Sequence, residues 1–427
     1  MTATDVIVAD EHHPTAWYST MGVAEKRAFW AATGGWILDA MDVQMFSFAI
    51  PLIIPAFSIG NADAGLILTA TLLSSSIGGW IAGMIADRYG RVRTLQLTIA
   101  WFAVFTFLCG FAQNYGELFA FRALMGLGFG GEWAAAAILI GEVITPQHRG
   151  KAVGAMQAGW PLGWGLAALV ATLFFTVLPP DLAWRALFWF GLTPAVLVFF
   201  VRRFVSEPPV YANTLENLKR AGLEANLLEI FSPAMVKTTI FSCLLSTGAL
   251  GGYYAITGWL PTFLRTERKL TVLGTGGYLA VIVIGSIIGC LFSAWLNDRI
   301  GRRPTFILFA VCSLITVVTY TQIPLDDTAM LFLGFPLGFF SQAIFAGMGP
   351  FLTELFPTRI RGSGQGFSYN FGRGVAAAIP YLVGHLSGLL PLGQSIGVFA
   401  ALSYVVMIVA ALALPETKGR GLTSEAA

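Results

Sequence analysis

Charge is what this chain has least of. Of its 427 residues, 11% are Asp, Glu, Lys or Arg against 56% apolar, and the mean hydropathy is +0.73. A soluble protein of this length could not cover its surface with so few polar side chains, so the chain is expected to live in lipid. Cysteine and histidine are scarce too, with four of each. Cys109, Cys243, Cys290 and Cys312 lie inside apolar stretches without a metal-type spacing and read as small buried hydrophobes. The adjacent His12 and His13 sit in a polar first segment and read as solvated, so no metal is expected. That segment has no short apolar core with a small-residue cleavage site; a signal peptide is not expected, and the first helix should direct insertion. No His-rich cluster, nucleophile motif or cofactor loop occurs, which argues against an enzyme and leaves no cofactor to expect. No nucleic-acid partner is expected either.

What the chain has is a set of long hydrophobic runs whose punctuation repeats. Gly83, Asp87, Arg88, Gly90 and Arg91 between the second and third runs are matched by Ala294, Asp298, Arg299, Gly301 and Arg302 between the eighth and ninth. Glu142 with Arg149 after the fourth run is matched by Glu354 with Arg361 after the tenth, and Glu207 by Glu416. These offsets are 209 to 212 positions, about half the chain. A duplicated bundle of spanning helices explains both the composition and the repeat.

At roughly 20 residues per span, twelve helices are predicted near 28–56, 62–85, 94–112, 117–143, 151–177, 184–204, 238–265, 272–296, 304–323, 327–356, 362–390 and 393–414. The fold class is thus all-α integral membrane, two pseudo-symmetric six-helix bundles at 28–204 and 238–414. Tails at 1–27 and 415–427 and a linker at 205–237 complete the division. Basic residues such as Lys26, Arg27, Arg88, Arg91, Arg149, Arg202, Arg203, Arg299, Arg302, Arg361 and Lys418 would fall on one side. Arg185, Arg265, Arg268 and Lys269 would fall on the other. That asymmetry predicts a multi-pass plasma or inner-membrane protein with both termini cytoplasmic. In the linker, Leu223, Leu227, Ile230 and Phe231 have the spacing of a short amphipathic helix on the membrane face.

The repeated loops, Arg122-x-x-x-Gly126-x-Gly128-x-Gly130 in the fourth helix and Pro415-Glu416-Thr417-Lys418-Gly419 at the end resemble the major facilitator superfamily over nearly the whole chain. Asp39-x-x-Asp42 in the first helix is similar to the pattern of its proton-coupled organic-acid symporters. Gly130-Gly131-Glu132-Trp133 with His148-Arg149-Gly150-Lys151 leans toward the sialate/lactate type over the aromatic-acid type. The resemblance implies alternating access by a functional monomer, with a small organic anion and protons as partners in the bilayer. It also implies that Asp87 latches the eleventh helix in the outward-open state. Independently of the name, a carboxylate at Asp87 can accept backbone N–H groups at a neighbouring helix start; topology anchoring is the plainer reading of the same charges.

An ionisable side chain at mid-bilayer costs at least about 2.5–3.5 kcal/mol, so each one inside a span marks a role. Asp39 and Asp42 lie ~16 and ~21 Å into the first predicted helix of a ~30 Å core. Their spacing places both on one face, where at least one is expected to carry a proton. Glu132, among glycines in the fourth helix, is a second candidate, and Arg122 in that helix would neutralise a carboxylate. Arg373, near the middle of the eleventh helix, carries a fork that matches a carboxylate, with Tyr369 and Asn370 four and three residues before it. It could instead pair with Asp39, Asp42 or Glu132. Gln157, Trp160, Tyr253, Tyr254, Thr257 and Gln342 complete the candidate cavity, on helices that line it in the resembled superfamily. The leading expectation is proton-coupled uptake of a small carboxylate. A proton-driven exporter and a transporter-like receptor remain as alternatives.

Overall fold

The computed structural model describes residues 16–19, 21–89, 91–143, 152, 155–193, 227–357 and 360–418. Within them the side chains at 16, 17, 24, 83, 84, 86–89, 91, 92, 131–143, 227, 228, 298, 353, 361 and 362 lie outside the description. Long apolar segments become helices here because lipid offers no partner for backbone N–H and C=O groups. The helices are α1 (Val23–Phe57), α2 (Asn61–Tyr89), α3 (Arg91–Cys109), α4 (Tyr115–Val143), α5 (Gly159–Val177) and α6 (Pro180–Phe190). After the linker come α7 (Val236–Thr266), α8 (Val272–Ile300), α9 (Arg302–Gln322) and α10 (Asp327–Leu355). The eleventh span is two pieces, α11a (Arg361–Ala376) and α11b (Ala378–Leu386), and α12 (Leu392–Ala413) closes the set. The side of the molecule holding the α1–α2 turn is called upper, and the side where α12 ends is called lower.

Eight helices among the described residues are long and apolar enough to cross a membrane. Polar α11a, with its serines, glutamine, asparagine and two arginines, is not one of them. Large apolar side chains such as Leu169, Leu273, Phe332 and Leu402 lie exposed on the outside, where lipid solvates them. Asp39, Asp42, Arg122 and Arg373 are instead 2% exposed or less.

The repeat in sequence is a repeat in packing. In the first half α2 packs on α4 and α1 on α5; in the second, α8 packs on α10 and α7 on α11a. The halves meet where α2 lies against α11, α5 against α8 and α1 against α7. Glycines set the closest approaches: a Cβ at Gly130 of α4 would collide with the backbone at Ser75 of α2, and one at Gly289 of α8 with that of Phe339 of α10.

Two local expectations change. The eleventh span was predicted as one helix, but its hydrogen bonding is interrupted at Ala377 ahead of Pro380, which has no N–H to give. In the linker, the described part of the expected amphipathic segment is a single 3-10 turn, Leu227–Phe231, with Ile230 buried and Phe231 half exposed.

Candidate functional site

The polar interior centres on Arg373. Its guanidinium carbon lies 5.0 Å from the ring centre of Tyr369, one turn earlier in α11a, and 5.3 Å from that of Phe129 in α4. Tyr369, Tyr254 and, more weakly, Asp39 are its electrostatic partners. Its Nε and Nη1 are buried and make no hydrogen bond among the described residues. Buried guanidinium nitrogens without a hydrogen bond are costly, and a planar fork of this kind can take the two oxygens of a carboxylate.

Around that fork the two halves form an aromatic cage. A small void of about 30 Å³ is lined by Trp36, Phe129, Trp160, Tyr253, Phe345 and Arg373, with Gln157, Gln342, Tyr254 and Tyr369 also on its wall. Trp160 Nε1 donates to the Tyr253 hydroxyl across the two halves, and the Trp36 and Trp160 rings lie 4.6 Å apart. Gln157 Nε2 donates to the Phe345 carbonyl at 3.5 Å, leaving its Oε1 without a hydrogen bond among the described residues. A second void of about 20 Å³ shares Phe129, Trp160, Tyr253 and Tyr254 with the first. It continues past Gln44, Thr71 and Thr257 to Arg122. Each void has room for a water or so rather than for a substrate.

Arg122 leads on to Asp42. The two face each other inside the first half, and the Thr106 hydroxyl donates to Asp42 Oδ2. Asp42 Oδ1 and all three guanidinium nitrogens of Arg122 make no hydrogen bond among the described residues. The Arg122 charge rests instead over the rings of Phe46 and Phe188, at 4.8 and 5.9 Å. The two aspartates, expected from their spacing to lie on one face, have different charged neighbours. Asp39 faces Arg373 and Asp42 faces Arg122, because three residues on a helix are still ~60° apart around its axis.

The predicted set thus separates. Arg373, Tyr369, Gln157, Trp160, Tyr253, Tyr254 and Gln342 come together, and Thr257 lies on the second void. Asn370 does not join them: its amide donates to Gly366 of its own helix and its oxygen lies over Gly79 of α2. Sequence reasoning missed Trp36, Phe129, Phe345 and Gln44. The available signal was Trp36 three residues before Asp39, on the same stretch of α1.

At the lower side the second copy of the charged loop is a network. Arg302 Nη2 meets Glu354 Oε1 at 3.2 Å with both side chains mostly buried, and Arg302 Nη1 donates to the Asn297 carbonyl. The Thr417 hydroxyl donates to Glu354 Oε2. The Arg299 carbonyl accepts from Lys418 Nζ at 2.7 Å, and its guanidinium lies over Trp295. Glu416 caps α9, its two oxygens accepting from the Arg302 and Arg303 amides at 2.9 Å each. Burial opposes ionisation of Glu416, but backbone N–H bonds from Arg302, Lys418, Arg303 and Thr417 outweigh it and hold the carboxyl below the usual range. Gly301 permits this approach: its φ is +102°, and a Cβ there would meet the Glu416 carboxylate at 2.8 Å. Gly90 and Arg149 of the first copy lie outside the described residues, as do the surroundings of Gly83, the side chains of Asp87, Arg88, Arg91 and Glu142, those of Asp298 and Arg361 in the second copy, and that of Glu132.

Known proteins share this architecture. Over 404 residues the chain is 43% identical to a probable 4-methylmuconolactone transporter of Cupriavidus pinatubonensis, covering 95% of this chain and 94% of the other. It is 28% identical to the cis,cis-muconate transport protein of Acinetobacter baylyi over 92% of this chain and 94% of that one. The fold superposes on the inward-open xylose transporter XylE of E. coli with a TM-score of 0.71 at 20% identity, covering 92% of this chain and 97% of that chain. The sequence profile of the Major Facilitator Superfamily matches residues 33–334 and 291–427. With its described helices in a repeated arrangement, buried charges in its interior and relatives of this kind, the chain belongs to the major facilitator superfamily of membrane transporters.

Proposed function

We propose that this protein takes up a small organic acid together with one or more protons. The observation that carries the reading is the Arg373 fork, buried in an aromatic cage with two nitrogens unoccupied among the described residues. Its planar donors match a carboxylate, and the Trp36, Phe129, Trp160 and Phe345 rings suit a flat, unsaturated carbon skeleton. The relatives named for muconate and methylmuconolactone support that class.

In this reading Asp39 balances Arg373 while the site is empty, and the substrate carboxylate replaces it. Asp42 carries the proton: it is buried, one of its oxygens is unpartnered among the described residues, and Arg122 links it to the cavity wall. Substrate and proton sites then communicate through the four aromatic residues that the two voids share. Residues 28–204 and 238–414 form the two rocking units, with the linker 205–237 and both termini in the cytoplasm. The basic residues on the lower side favour this orientation. Asp87, at the lower end of α2, acts as the latch between the halves when the lower side is shut.

Uptake of a labelled muconate-type acid into vesicles under an imposed pH gradient tests the whole reading. Accumulation that follows an inward proton gradient and collapses with a protonophore is expected. Uptake indifferent to the gradient would overturn the coupling, and export against it would overturn the direction.

A further inference from the structure

Beside the seam where α5 of the first half meets α8 of the second lies a cavity of about 590 Å³, walled almost entirely by apolar side chains. Ile37 and Val283 form its floor, and Leu166, Leu169, Leu273 and Ile284 form its rim. Leu169 and Leu273 are 68% and 67% exposed, so the groove opens to the lipid rather than to the substrate cavity. Gly277, exposed on the groove wall, leaves room there: a Cβ would meet nothing within 4 Å. Toward the upper side the walls converge at Thr172, whose Oγ1 lies 2.9 Å from where a Cβ at Gly276 would be.

Above that point sits a cation without an acidic partner among the described residues. Arg265, in the last turn of α7, lies over the ring of Phe175 at 5.7 Å, and Phe175 is one turn above Thr172 in α5. The buried Nη1 of Arg265 makes no hydrogen bond among the described residues. Its neighbours do not supply a counter-charge. Glu267 commits both carboxylate oxygens to the Leu392 and Gly393 amides at the start of α12. Asp327 is taken by Arg268 at 3.1 Å.

We propose that the α5–α8 seam is a binding site for an anionic phospholipid of the upper leaflet, with its phosphodiester on Arg265 and an acyl chain in the groove. The assignment follows from two independent features: an apolar trough facing outward, and, over Phe175 one turn above its upper end at Thr172, a guanidinium of the kind that matches phosphate oxygens. An uncharged groove would take any lipid. The Arg265 cation favours a headgroup of net negative charge. Because one wall belongs to each half, a lipid seated there bridges them while the upper side is closed. It therefore biases the transport equilibrium as well as binding.

Native mass spectrometry of the full-length protein, equilibrated with equal amounts of phosphatidylglycerol and phosphatidylcholine, tests this. The wild-type chain is expected to retain phosphatidylglycerol several-fold over phosphatidylcholine and to melt higher in its presence. Arg265→Gln should lose that preference and the melting shift. Gly277→Leu, which adds bulk to the groove wall at a point where a Cβ has open space, should reduce retention of both lipids. Arg268→Gln should leave the preference intact. Equal retention of the two lipids by the wild type, or an undiminished preference in Arg265→Gln, would overturn the proposal. So would displacement of the bound anion by millimolar inorganic phosphate with Gly277→Leu behaving as wild type, since that pattern belongs to a soluble anion.

Discussion

The hydroxyl of Thr69 in α2 is inserted into a helical hydrogen bond of the opposite half. It donates to the Ala377 carbonyl at 2.5 Å and accepts from the Tyr381 amide at 3.3 Å, the two groups that an unbroken helix would join directly. Pro380 loosens this turn, and Gly65 and Gly384 let α2 and α11b approach closely enough for the bridge to form. Asn61 donates to Ser387 one layer higher at 2.9 Å. The upper side is thereby zipped shut through groups that can be satisfied within their own half when the zip opens.

Thr69→Val keeps the shape and removes the bridge, so it should favour opening of the upper side. One net hydrogen bond contributes about 0.5–1.5 kcal/mol, which corresponds to a shift of roughly 2- to 10-fold in the open fraction. Labelling of a cysteine introduced on the cavity face of α11b should accelerate by that factor. An unchanged rate would show that apolar packing, not the hydroxyl, keeps that side shut.

On the lower side, Glu416 makes a prediction with a defined sign. Its carboxyl is held below its ordinary value of 4.5 in the folded protein, so the cap contributes stability at neutral pH. That contribution is present above the unfolded value and is lost as the pH falls through the folded one. Glu416→Gln should therefore lower the melting temperature at pH 7 and differ less and less from wild type below about pH 4. A difference independent of pH would assign the effect to packing against Gly301 and not to charge.

Much of this was legible in the sequence, for physical reasons that differ between residues. The spans and their duplication could be read because lipid forbids charge between the loops, so each Asp-Arg-x-Gly-Arg run fell at a helix end. Asp39, Asp42, Arg122 and Arg373 stood out by the same cost, and all four are buried between or within the halves. The cage was harder. Trp36 and Phe129 line the cavity, while Trp80 and Trp101 are 47% and 40% exposed on the outside. An apolar ring is at home in either place, so composition alone does not sort them. Asn370 misled because its spacing from Arg373 fits a shared face, yet Gly79 leaves a gap on α2 that its side chain occupies.

For Arg373 the anchor role predicts weaker binding even when the charge is kept. Arg373→Lys loses the planar fork and should bind a muconate-type acid about 10- to 100-fold less tightly, the loss of one charged hydrogen bond worth roughly 1.5–3 kcal/mol. Arg373→Ala should abolish binding in calorimetry while the protein still inserts. Near-normal affinity in Arg373→Ala would sink the anchor. If the arginine served only as a partner of Asp39, the Asp39→Asn, Arg373→Ala double variant would recover affinity that the single variant lacks.

The two aspartates should separate under the same assay because they face different cations. Asp42→Asn removes the group that takes the proton and leaves the Arg373 cage untouched. It should therefore lose accumulation driven by a pH gradient while still exchanging labelled for unlabelled substrate, a cycle with no net proton movement. Asp39→Asn removes the carboxylate that competes with substrate for Arg373. It should tighten substrate binding and make it less dependent on pH, with gradient-driven accumulation reduced but present. Counterflow and gradient-driven uptake measured on both variants in the same vesicles distinguish these outcomes. If Asp42→Asn concentrates substrate as wild type does while Asp39→Asn cannot, the proton travels with Asp39, and Arg373 couples substrate and proton directly.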